Sequence, residues 1–115
     1  MHSRLVEWHA EAHRHEYFEL NQRIHRAVVA LSGNRILAET HARLLARARR
    51  SRYQAILSDA RWAESVAEHG ALMGAFARRD GGAAAEIWRR HVLRTGEVVA
   101  ESLAQEAAVV RKRQA

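Results

Sequence analysis

The chain has 115 residues, no cysteine, no proline and a net charge of +6 carried by 18 arginines and a single lysine, Lys112. One domain with a substantial core suits this length, and disulfides and thiolate metal sites are excluded. No apolar run approaches the ~18 residues of a membrane span, and Met1-His2-Ser3-Arg4 lacks the apolar stretch of a secretory signal, so a cytoplasmic protein without membrane contact is expected.

In chain order, Leu5, Val6, Trp8 and His9 fall at helix-like intervals, which predicts a short amphipathic helix over 3–13. His9 and His13 form an i, i+4 pair, but nothing distant points to a third ligand for them. A second helix is predicted from Glu16 to Leu31, with Phe18, Leu20, Ile24, Val28 and Leu31 on its apolar side. Asn21 and His25 lie beside that side, one turn apart on one face. Gly33 suits a left-handed helix exit and Asn34 caps the next helix. That third helix is predicted to run unbroken from Arg35 to Leu57. Ser58-Asp59 caps a fourth, over 61–78, whose stripe is Trp62, Val66, His69, Leu72, Met73 and Phe76. Arg79-Asp80-Gly81-Gly82 is a turn, with Asp80 capping a last helix that carries Ile87, Trp88, His91, Thr95 and Val98 on one face and ends near Val110. A frayed tail is expected over 111–115. The sum is an all-α protein, an antiparallel bundle of about five helices forming a single domain over residues 1–115.

His25, His69 and His91 each fall on the apolar side of a different helix. One such histidine is most often a satisfied core residue. Three together, with the side-chain oxygen of Asn21, favour a shared site. Three neutral imidazoles and an oxygen suit zinc, nickel, iron or manganese, with positions left open for a ligand. The chemistry of several enzyme classes is missing. No glutamate precedes a histidine by three residues, as di-iron bundles require. His-Glu-x-x-His, glycine-rich phosphate loops and a nucleophile context are absent too. The protein is therefore not expected to be an enzyme. The arginines are spread over every helix. Their densest group, Arg47, Arg49, Arg50 and Arg52, reads as a solvated face with one member turned inward, and a basic nucleic-acid-binding bundle is the weaker alternative.

The order and separation of Tyr17-Phe-Glu-Leu-Asn21-Gln-Arg-Ile-His25-Arg-Ala, Ser32-Gly33-Asn34, Glu68-His69, Arg79-Asp80 and His91-Val92 resemble the FCD domain, the effector-binding domain of FadR-type GntR transcription regulators, over residues 5–103. The resemblance implies a helical domain that forms a homodimer and holds a divalent metal on Asn21, His25, His69 and His91. It implies a small carboxylate effector bound with help from an arginine, Arg49 or Arg52. The family places aspartate where Asn21 stands. The winged helix-turn-helix of such regulators, and the first helix of their effector domain, have no counterpart in this chain, so DNA binding is expected only through a segment it does not carry. Without that first helix, Leu5 and Trp8 are expected to be exposed and to need cover in a dimer. The alternative is a metal-free helical dimerisation or interaction module.

Overall fold

The computed structural model describes residues Met1–Ala115 and contains six helices and no strand: α1 (His2–Ala10), α2 (Arg14–Ala30), α3 (Arg35–Arg47), α4 (Arg49–Ala55), α5 (Asp59–Ala77) and α6 (Gly81–Gln114). The all-α expectation is met, with one helix more than anticipated. The predicted third helix breaks at Ala48, whose φ of −88° and ψ of 1° leave the helical region, so α3 and α4 replace one long helix. No helix is long and apolar enough to cross a membrane.

The chain divides into two compact units, Met1–Tyr53 and Gln54–Ala115. In the first, α2 packs against both α1 and α3. Its core is Leu5, Tyr17, Phe18, Leu20, Ile24 and Leu45, the apolar faces of the three helices. Full burial of side chains such as Leu5 and Phe18 stabilises a fold by about 1.5–3 kcal/mol each. Phe18 meets Tyr53 edge to face, with ring centroids 5.1 Å apart. Leu5 is fully buried here, contrary to its expected exposure, because α2 supplies its cover. Trp8 is half-buried, with the Arg4 guanidinium 5.1 Å from its ring.

The second unit is built on α5 against α6, and Ile56, Trp62, Leu72, Ala75 and Ala84 form its apolar core. The helix ends follow local chemistry. Asn34 Oδ1 accepts from Leu37 N at 3.0 Å, Ser58 Oγ from Arg61 N at 3.3 Å and Asp80 Oδ1 from Ala83 N at 3.0 Å. Each satisfies a backbone donor that the first turn leaves without a partner. Gly33 takes φ +70°, as its place after a helix predicts. After α1 and α5 the left-handed residue is not glycine. Ala12 (φ 59°) and Arg79 (φ 53°) hold it, each followed by a residue whose N–H reaches back five positions, His13 to Trp8 and Asp80 to Ala75. Gly81 and Gly82 instead open α6. That helix continues to Gln114 through the predicted frayed tail, with Arg111, Lys112 and Arg113 in its last turn, where cations favour the helix dipole.

Several residues that helical spacing would place in a core are exposed. Leu31, Ile36, Leu37 and Leu44, at the end of α2 and along α3, are each about half exposed or more. The spacing identifies an apolar face, and nothing in the first unit covers this one.

A candidate metal and effector site

In the first unit, the buried face of α2 carries Asn21, Gln22 and His25 beside Tyr17, Phe18 and Ile24. Asn21 Oδ1 is buried and accepts no hydrogen bond within the protein. A buried amide oxygen without a donor is costly, and an oxygen so placed suits a cation. One turn on, His25 is 4% exposed. Arg52 of α4 approaches it, with Nη2 3.3 Å from His25 Nδ1, and also donates to Gln22 Oε1. No carboxylate pairs with Arg52. Burial alone pulls its guanidinium down to about 10. Arg52 is thus the inward-facing member of the arginine group. Arg49 faces outward, pairs with Glu19 and lies over the Phe18 ring at 5.1 Å. His41 of α3 sits at the edge, its Nδ1 buried without a hydrogen-bond partner. Its pKa is lowered by burial first, then by the Arg52 and Arg26 charges.

In the second unit, His69 and His91 are buried, and their rings meet edge to face with centroids 4.8 Å apart. His91 Nδ1 lies 2.9 Å from Glu68 Oε1. An ionised carboxylate only accepts, so Nδ1 carries the proton and the lone pair is on Nε2. That is how carboxylates prepare histidines for metals. Glu68 is held in turn by Arg61, 2.8 Å away and 3% exposed. Arg61 also donates to Thr95 Oγ1 at 2.8 Å and to the His91 carbonyl at 3.3 Å, and pairs with Glu64 at 3.1 Å. Glu64 is kept below the usual carboxylate range by its hydrogen bonds from Arg61 and Arg94.

Each unit offers donors that suit a divalent ion: a buried imidazole one turn from a buried oxygen with no internal donor in the first, and two buried imidazoles, one of them oriented by a carboxylate, in the second. His9 and His13 do not extend it, for His13 is exposed and faces Glu11 at 3.3 Å. Sequence reasoning missed Arg61 and the orienting role of Glu68. Their seven-residue separation, two turns on one face, was the available signal. What Glu68 touches on α6 had none.

The fold is all-helical, and it buries an imidazole and an arginine without a carboxylate partner in the first unit and two imidazoles in the second. The family model described as FCD domain matches residues 2–94, and the chain belongs to that family, the effector-binding modules of GntR-type transcription regulators. It is a family of regulatory domains, not of enzymes. No curated protein and no solved structure gives a match.

Proposed function

We propose that this chain is the effector-binding and dimerisation domain of a FadR-type regulator and senses a small carboxylate through a divalent metal. Asn21, His25, His69 and His91 are the residues that would hold the ion. Bound there, the metal supplies a Lewis-acidic position for the effector's carboxylate. Arg52 is the better of the two candidate arginines for the same carboxylate, since its charge is buried without a counter-ion while Arg49 already has Glu19. The observation that carries the reading is the Asn21 oxygen, buried one turn from a buried histidine and accepting no hydrogen bond.

The test is calorimetric titration with zinc. Wild type is expected to bind one ion per chain. Asn21→Asp is expected to bind it about tenfold more tightly, because a carboxylate replaces a neutral amide at a ligand position. Equal affinity in the two proteins, or no binding by either, would exclude Asn21 from the site.

Dimerisation is proposed through the uncovered face of α3. Leu37 and Leu44 lie two turns apart on one side of that helix, and Ile36 and Leu31 are exposed as well. Exposed apolar residues at this spacing suit an association surface. Light scattering is expected to give a dimer for wild type and a monomer for Leu44→Arg at the same micromolar concentration. A wild-type monomer would remove dimerisation from the proposal. This face also favours the second reading, a dimerisation module that needs no metal, which loss of zinc binding without loss of the dimer would support.

A further inference from the structure

The contact between Arg52 and His25 fixes where the imidazole keeps its proton. A guanidinium offers donors only. The 3.3 Å approach of Arg52 Nη2 to His25 Nδ1 therefore needs the lone pair on Nδ1 and the proton on Nε2. A neutral imidazole has a single lone pair, and a metal ion needs that same pair. If the ion takes Nδ1, it stands where the guanidinium N–H points. If it takes Nε2, the ring proton moves to Nδ1 and confronts another donor. Both routes break the contact.

We infer that Arg52 and the metal ion compete for His25, so that metal capture releases Arg52 and makes its charge available to an anionic carboxylate. The inference rests on His25 being a metal ligand, as proposed above. After release, the partner left to Arg52 is the neutral amide of Gln22. A buried guanidinium with only an amide for company recognises a carboxylate by paired, charge-assisted hydrogen bonds. Binding is then ordered, metal first and acid second. Because coupling between two ligands is reciprocal, the acid in turn tightens the metal. Without metal, Arg52 remains engaged and the acid meets a site that is not ready for it.

The experiment follows the histidine ring nitrogens of the full chain by long-range proton–nitrogen NMR, with zinc alone as the probe. It is paired with zinc affinities for wild type, Arg52→Met and Arg26→Met. Arg26 is an exposed residue of α2 next to His25 in sequence, so its variant reports the loss of a nearby charge without the loss of the contact. Before zinc, His25 is expected as the Nε2–H tautomer, and zinc is expected to move its Nδ1 resonance. Arg52→Met should bind zinc about tenfold more tightly than wild type, since the competing charged hydrogen bond is gone. Arg26→Met should change affinity by less than about threefold, because exposed charges are screened. If zinc perturbs His25, His69 and His91 but Arg52→Met gains no more than Arg26→Met, the competition is overturned and the metal site stands. His25 already protonated on Nδ1 without zinc would overturn it in the same way. If zinc perturbs none of the three histidines, the metal reading fails and the competition falls with it.

Discussion

His69→Gln is expected to lower zinc affinity by at least about 100-fold, since loss of a partner that merely orients a ligand already costs about 10- to 100-fold. Glutamine is the better replacement because the ring is 1% exposed and packs against His91. His69→Ala would leave a cavity and cost about 2–4 kcal/mol of stability, by analogy with other large-to-small core changes. Glutamine keeps most of the volume and a polar end, and removes the imidazole lone pair. Calorimetry with zinc, alongside thermal unfolding of the metal-free variant, separates ligand loss from misfolding. A folded His69→Gln protein within threefold of wild type would show that α5 contributes no ligand.

Arg61→Met is expected to destabilise the protein by about 3 kcal/mol, the low end for removing one partner from a buried charged network. The side chain is almost wholly buried and joins Glu64, Glu68, Thr95 and the His91 carbonyl. Methionine retains the aliphatic stem, so the loss reads the guanidinium and not the packing. Glu68 is left beside His91 without its balancing cation. Adding Glu68→Gln should therefore restore part of the loss, because the two sites are coupled and their effects are not additive. Denaturant unfolding of the two single variants and the double variant gives the numbers. A change below about 0.5 kcal/mol for Arg61→Met, the range of ordinary surface substitutions, would mean that the network holds nothing together.

Much of this was legible because helices write their geometry locally. Asn34, Ser58 and Asp80 could be placed as caps since a cap bonds only two or three residues ahead. Asn21, His25, His69 and His91 could be placed on buried faces since each lies among apolar residues at helical spacing. The break at Ala48 could not be foreseen. Arg47, Ala48 and Arg49 are all good helix formers, and no glycine or proline marks the spot. The exposure of Ile36 and Leu44 was hidden for a different reason: periodicity shows that a face is apolar but not what lies against it. The network around Arg61 depends on α6 passing beside α5, and residues 30 or more apart carry no local trace of each other.

The length of α6 has a consequence for how the protein breathes. At 1.5 Å per residue its 34 residues span about 50 Å. Its buried residues, Ala84 and His91, both lie in its first eleven positions, and from Leu103 onward every residue except Ala108 is exposed. The final dozen residues therefore stand on their own helical propensity, which for a segment that short is marginal in water. One continuous spiral thus carries two protection regimes. Amides around His91 should exchange with solvent only when the second unit opens, while those beyond Leu103 should exchange by fraying from the end inward.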